Sequence, residues 1–444
     1  MKKGITVGSE KIAALFDAGT FVETGAFVKR ANGDPAGVVC GYGAIGGKLV
    51  YAFAQDSDRK KGAFDALQAE KIVALYSMAM KNGAPVIGVF DSIGAFVEDG
   101  ASVLSAYGKV LAAVSAASGV IPQIAVIDGV CAGTMAAVAA LFDFTVMSES
   151  GRLYVGSPTQ LGDAVATPAF AAENGNVALV ASDTASAVRT LLSYLPDRCD
   201  GAAPVQGSDD LNRAVALADR TDAASALDAV VDVGSFYALY EGIAPNVKVG
   251  LARMGGVPVA VIAADGELCV AALAKMRKLL SFADSFGMAV LSFVNCTGVC
   301  ACEKDEPRLA AAMADLTHAL AKSTAPRVSA IVGAAIGAGF LFGGAKELGA
   351  DLVLALPAAE IAALAAPAAV AFLWNDRITK DKTRADLEKE WASTVATPEN
   401  AATTGAIDDI VAPAELRARL IAALLMLEGK ANGAPTRRHA VRPL

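Results

Sequence analysis

The chain carries an internal repeat. DAGTF at Asp17–Phe21 returns 215 positions later as DVGSF at Asp232–Phe236, and GYGAIGGKLV at Gly41–Val50 returns 209 positions later as GLARMGGVPV at Gly250–Val259. From there the spacing holds at 204, relating Lys71 to Lys275, Gly83 to Gly287, Asp91 to Asn295, Gly94 to Gly298, Pro122 to Pro326 and Gly133 to Gly337. An offset that shrinks in steps records loop deletions in one copy. An offset that stays constant over more than 60 residues restricts the chain to two copies of one fold.

Each copy follows the same local grammar. Paired apolar runs around Gly46-Gly47 and Gly255-Gly256 suit a two-stranded antiparallel hairpin. Apolar residues at helical spacing predict helices over Ala69–Lys81 and Ala272–Phe286, closed by Gly83 and Gly287, the residue type that best ends a helix. A buried strand follows, APVIGVFD or MAVLSFVN, and then a glycine turn. A second helix leads to the strand IPQIAVID or APRVSAIV and another glycine turn. Continuous apolar strands alternating with helices mean parallel strands packed under helices. The expected class is α/β, with homologous domains over 1–215 and 216–444 and a Gly/Pro/Asp-rich join, RCDGAAPVQGSDD, within 198–230.

With 54% hydrophobic and 19% charged residues over 444 positions, the chain has apolar side chains enough for two cores. A formal net charge of −8 argues against nucleic-acid binding, while a small phosphorylated ligand needs only a local cluster of cations. The uncharged stretches Val110–Ile127 and Val328–Ala345 reach the lower limit for a membrane-spanning helix. Ser118-Gly119 and Pro122 break the first; Gly333, Gly337 and Gly339 break the second, which predicts a strand, a turn and a helix start in a soluble chain. MKKGITVGSEKIAALF lacks the apolar core of a signal peptide, so a reducing cytoplasm is expected. Cys296, Cys300 and Cys302 form a C-x3-C-x-C cluster with no second ligand group beside it. The chain has only two histidines, His318 and His439. These thiols are expected to be buried or on loops, and no metal is assigned.

Two glycine turns in each copy stand at the strand ends, where α/β units hold ligands: DSIGAF (Asp91–Phe96) and CAGTM (Cys131–Met135), then NCTGV (Asn295–Val299) and AIGAGF (Ala335–Phe340). Glycine at a helix start lets a ligand approach bare N–H groups at the positive end of the helix dipole, where a developing oxyanion is stabilised. The same glycines would also serve close packing of helix on strand, and spacing alone leaves both readings open.

The residues FDAGTFVETGAFV, VIGVFDSIGA, SGVIPQIAVIDGVCAG and LLSYLP resemble the carboxyltransferase subunits of biotin-dependent acyl-CoA carboxylases and decarboxylases. So does the tail GAIDDIVAPAELRARLIAALLMLEGK with RRHAVRPL, and the likeness runs nearly end to end. It implies two crotonase-like β-β-α superhelix domains, the first on the acyl-CoA side and the second on the biotin side. It also implies transfer of a carboxyl group between carboxybiotin and the α-carbon of a short acyl-CoA such as propionyl- or acetyl-CoA. The biotin anion takes the α-proton, so the protein needs no general base. Two oxyanions arise, on the thioester and on the biotin ureido oxygen, and two backbone oxyanion holes meet them.

Carried over position by position, the family's CAGG falls on Cys131–Thr134 and its AYGGAY on Ala335–Phe340. The implied oxyanion donors are then Gly133 and Thr134, and Ala338 and Gly339. Gly94 and Ala95 fall at the substrate turn, and Leu341 stands where many relatives carry an acidic residue shaping the acyl pocket. Arg59, Lys60 and Lys61 are the best local cluster for CoA phosphates, with Arg437, Arg438 and Arg442 second. The family's DSGGARIQEG reads DSIGAFVEDG here, and its DVPGFLPGTGQE reads NCTGVCACEKDE. AMKN at Ala79–Asn82 mimics a biotinylation motif, but Lys81 ends a helix, so biotin is expected on a separate carrier protein. The implied partners are that carrier, a biotin carboxylase or a membrane decarboxylase subunit, and further copies of this chain, as a dimer up to a hexamer. Two rivals remain: the α subunit of a sodium-pumping methylmalonyl- or glutaconyl-CoA decarboxylase, and a weakened scaffold paralogue. A hydratase or isomerase would need a carboxylate at the active turn, for which only Glu98 and Asp99 are at hand.

Overall fold

The computed structural model describes residues 5–30, 33–195 and 209–430. The chain divides into two units, Met1–Ala202 with Tyr240–Ile243, and Ala203–Leu239 with Ala244–Leu444. The second candidate cation group, Arg437, Arg438 and Arg442, lies outside the described residues.

In the first unit the hairpin β1 (Val38–Ile45) and β2 (Lys48–Gln55) turns at Gly46-Gly47 and is antiparallel. Helix α1 (Ala66–Asn82) follows, then β3 (Val86–Ser92), α2 (Ser102–Ala117), β4 (Gln123–Ala132), α3 (Thr134–Ala140) and β5 (Phe144–Ser148). The sheet runs Val22–Thr24, β1, β2, β3, β4, β5, Leu179–Ala181, with Arg152–Tyr154 also pairing β4. Every contact from β2 onward is parallel. The α1 helix starts three residues before the apolar spacing predicts, because Asp65 caps it by accepting from the Gln68 amide at 2.8 Å. Gly83 ends it at φ 62°. Under the helices, Phe53, Phe90 and Phe142 meet edge to face at 5.5 Å, and a Cβ at Gly88 would lie 2.6 Å from the Phe53 ring.

The second unit repeats this order. Its elements are β6 (Val247–Met254), β7 (Val257–Leu268), α4 (Val270–Ser285), β8 (Val290–Val299), α5 (Glu306–Lys322), β9 (Arg327–Ile336), α6 (Ala338–Gly344) and β10 (Leu352–Ala355). Its sheet runs Tyr237–Leu239, β6, β7, β8, β9, β10, Asp409–Ile410, with Glu360–Ala362 pairing β9. The two sheets thus share one strand order, each with a short strand off the main path. The two uncharged stretches resolve as helix, turn and strand (Val110–Ile127) and as strand, turn and helix (Val328–Ala345). Among the described residues no helix is long and apolar enough to cross a membrane.

One ion pair recurs with the fold. Asp17 accepts from the Gly46 and Gly47 amides and pairs with Arg189 at 2.7 Å. Asp232 accepts from Gly255 and Gly256 and pairs with Arg417 at 2.8 Å. In each half a closing helix therefore clamps the hairpin turn. The first clamp is half exposed, whereas Arg417 has no exposed surface and also donates to the Val230 and Asp210 carbonyls. The tail thus has a structural purpose: Asp408 accepts from the Val353 amide of β10 and pairs with Lys346, and Arg419 pairs with Asp409.

Candidate active site

Strand β4 carries buried residues as far as Cys131 and Ala132. Gly133 then turns the chain at φ 61°, ψ −132° into α3, and Gly337 does the same at φ 50°, ψ −120° before α6. This left-handed φ is open to glycine and costly for a residue with a Cβ. A Cβ at Gly133 would touch nothing within 4 Å, so the position requires backbone freedom and not space. Thr134 and Ala338, which replace family glycines, are the first helical residues and escape this demand. Among the described residues only Lys60, Lys61, Tyr240 and Ala244 combine a side chain with positive φ.

The fold already uses the amide of one expected donor. The Gly133 N–H already donates to the Tyr154 carbonyl at 2.9 Å, as that of Gly337 does to Ala362 at 2.9 Å. Each bond closes a short strand onto the turn. The Gly133 amide is thus engaged within the fold. The 204-residue offset carries Ala338 and Gly339 onto Thr134 and Met135. These amides open the two helices, where no carbonyl four residues back exists within the helix to receive them. Nothing in CAGTM separates a turn amide that is bonded within the fold from one that is not.

The companion turns stand alongside. Ser92 registers with Cys131, and a Cβ at Gly94 would lie 3.8 Å from the Ala132 carbonyl. Buried Phe64 pins the Gly94–Phe96 segment, donating to Gly94 O and accepting from Phe96 N, both at 2.8 Å. Ala95, bridged to Phe64, is half-buried at this turn. In the second unit Gly339 packs on β8, where a Cβ would lie 2.6 Å from the Cys296 carbonyl, so glycine is required there for close approach. Leu341, two residues on, is exposed. Cys131 is fully buried, and burial pushes its thiol well above the usual range. It is a packing residue and not a nucleophile.

The cation cluster lies against the Gly94 turn. Gly62 sits so close that a Cβ would fall 1.8 Å from the Asp91 carbonyl, and Ile93 N donates to Lys61 O at 3.4 Å. Lys60 and Lys61 hold φ of 51° and 53°, a strain of about 1–2 kcal/mol each that the turn's hydrogen bonds sustain. Lys60 Nζ stands 3.6 Å above the Phe96 ring, and Arg30 covers the same ring at 4.8 Å. Arg30 has no sequence signature and joins the cluster only through the fold. It also pairs with Asp65 and with Asp99, so Asp99 is engaged by a cation. Arg59 is paired with Asp56 at 3.3 Å. Lys81 is in the last turn of α1.

Two sheets of one strand order, each leading into a glycine-led helix start, define a duplicated α/β chain. The comparisons agree: residues 1–442 match the Carboxyl transferase domain, and the chain belongs to that family. It is 32% identical over 487 residues to the propionyl-CoA carboxylase carboxyltransferase subunit of Haloferax mediterranei, covering 100% of this chain and 94% of that protein. Identity and coverage are the same for the methylmalonyl-CoA decarboxylase subunit alpha of Veillonella parvula. Among solved structures, the transcarboxylase 12S hexamer crystallised with hydrolysed methylmalonyl-CoA superposes with a TM-score of 0.92 at 29% identity, over 98% of this chain and 92% of that one.

Proposed function

We propose that this chain is a cytoplasmic carboxyltransferase subunit that moves a carboxyl group between biotin on a separate carrier protein and the α-carbon of a short acyl-CoA. The observation that carries this is the pair of glycine-led helix starts, one per half, in a chain of the carboxyl transferase family. In the first half Thr134 and Met135 donate their amides to the thioester oxygen as it gains negative charge, with Gly94 and Ala95 lining the acyl group. Such preorganised donors cost no reorganisation when charge develops. In the second half Ala338 and Gly339 offer two amides within a segment, Ala335–Phe342, that carries no charged residue. That fits a neutral ureido ring with one acceptor oxygen, and Leu341 stands at its edge. Biotin, when bound, supplies the carboxyl group and the base. The chain's own residues bind, orient and polarise, and no side chain is assigned the α-proton. The partner that reloads biotin, a biotin carboxylase or a membrane decarboxylase subunit, sets the direction.

The test is decarboxylation of malonyl- or methylmalonyl-CoA by the purified chain with free biotin. Turnover is expected; measurable CoA binding without turnover would leave the chain as a scaffold. Assembly of at least a dimer is expected in solution. We assign Arg59, Lys60 and Lys61 to the CoA phosphates. Replacing all three by alanine should raise KM for acyl-CoA about tenfold or more, equivalent to about 1.4 kcal/mol, with kcat kept. The matching pantetheine thioester, which lacks the phosphates, should be indifferent to the change. Equal loss with both substrates would remove the phosphate assignment.

A further inference from the structure

A second cluster of reactive side chains lies outside this machinery, on the loop between β8 and α5. Strand β8 ends at Val299, registered with Leu268 of β7. The Cys300 amide donates to the Leu268 carbonyl at 3.0 Å, and the Asp305 carboxylate accepts from the Val270 amide at 2.9 Å. Both ends of the loop are thus tied to one short stretch of backbone, Leu268–Val270. Inside the loop the amides of Asp305 and Glu306 donate to the Cys302 carbonyl at 3.1 and 3.0 Å. The result is that Cys300 Sγ, Cys302 Sγ and an Asp305 carboxylate oxygen all lie within 4.8 Å of one another, each residue half-buried. The spacing C-x3-C-x-C shows two of these groups. The third enters through the fold, from the residue that opens the following helix.

We propose that Cys300, Cys302 and Asp305 bind one thiophilic divalent cation of the zinc class, with water in the fourth position. Two thiolates and a carboxylate suit Zn2+ and disfavour Mg2+ or Ca2+, which take oxygen ligands. Zinc–sulfur and zinc–oxygen bonds of about 2.3 and 2.1 Å place tetrahedral ligand atoms roughly 3.5–3.8 Å apart, so the three groups need draw in by only about 1 Å. Without a cation, the two sulfurs and the Asp305 carboxylate crowd one another within 4.8 Å. Binding converts that crowding into coordination. Each thiol releases its proton to solvent as its sulfur–metal bond forms, two protons leave per ion, and no electrons move. The site would fix the loop that leaves β8, the strand on which Gly339 packs through Cys296. It acts as a structural clamp, and its binding is read independently of turnover.

The experiment is a Co2+ titration of the full chain, reduced and stripped with a chelator. One equivalent is expected to raise a thiolate-to-cobalt charge-transfer band and tetrahedral visible bands, both removed by Zn2+. The charge-transfer band should halve in Cys300→Ser and in Cys302→Ser, vanish in the double variant and persist in Cys269→Ser. Far-ultraviolet circular dichroism checks that each variant is folded; the single variants carry the test if the double one is not. No band at one equivalent, or a band that survives the double substitution, overturns the proposal. So does a reduced chain that shows no band but forms a Cys300–Cys302 disulfide when oxidised.

Discussion

Thr134→Pro should lower kcat for carboxyl transfer or decarboxylation by about 10²–10³-fold, the loss of one oxyanion donor. Thr134→Ala should stay near wild type. Proline is tolerated at the first position of a helix, because its fixed φ suits that turn and the missing N–H has no intrahelical partner there. Thr134 occupies that position, and Gly133 before it carries the unusual φ of 61°. The proline therefore deletes an amide while leaving α3 in place, and the alanine deletes a hydroxyl while keeping the amide. If the threonine hydroxyl carried the chemistry, Thr134→Ala would lose activity along with Thr134→Pro, since neither side chain has a hydroxyl. Ala338→Pro repeats the test in the second half.

Arg417→Ala should destabilise the second unit by about 3–5 kcal/mol, because removing one partner of a buried pair leaves the other charge uncompensated. Arg417 is wholly buried between Asp232 at 2.8 Å and Asp209 at 3.3 Å. In a unit of this size that corresponds to a fall of about 6–20 °C in Tm. Arg189→Ala breaks the equivalent pair in the first half, where both side chains are partly exposed, and should cost much less. The carboxyl of Asp209 is held below its usual range, first by Arg213, then by the Val233 amide and Arg417. Its contribution is therefore full above the ordinary carboxylate pKa and is lost as pH falls through the lowered folded value. Thermal melts of both variants near neutral pH and in acid check the pair.

The repeat made most of this fold legible. Glycine pairs at hairpin turns, glycines closing helices and continuous apolar strands report local backbone demands, and those survive in sequence. The left-handed turns at Gly133 and Gly337 belong to the same class. What stayed hidden depends on residues far apart in the chain. The amide of Gly133 is used by Tyr154, which lies in a three-residue strand too short for any periodic signal. Arg417 looks like an ordinary charge on a surface helix, yet its carboxylate partner stands 185 residues away. Arg30 reaches the Phe96 ring, and Asp305 reaches Val270, by the same kind of long-range packing. A motif located the turn, but only the fold showed that the Gly133 amide is already bonded to Tyr154.

The central claim is that the helix-opening amides polarise the bound thioester. Difference infrared spectroscopy with a carbonyl-labelled propionyl-CoA measures this directly. Hydrogen bonds from Thr134 and Met135 should shift the thioester C=O stretch to lower frequency than in free solution. The shift should be preserved in Thr134→Ala and diminished in Thr134→Pro. A saturated complex whose carbonyl absorbs as it does in water, or a shift unchanged by the proline, would contradict the account.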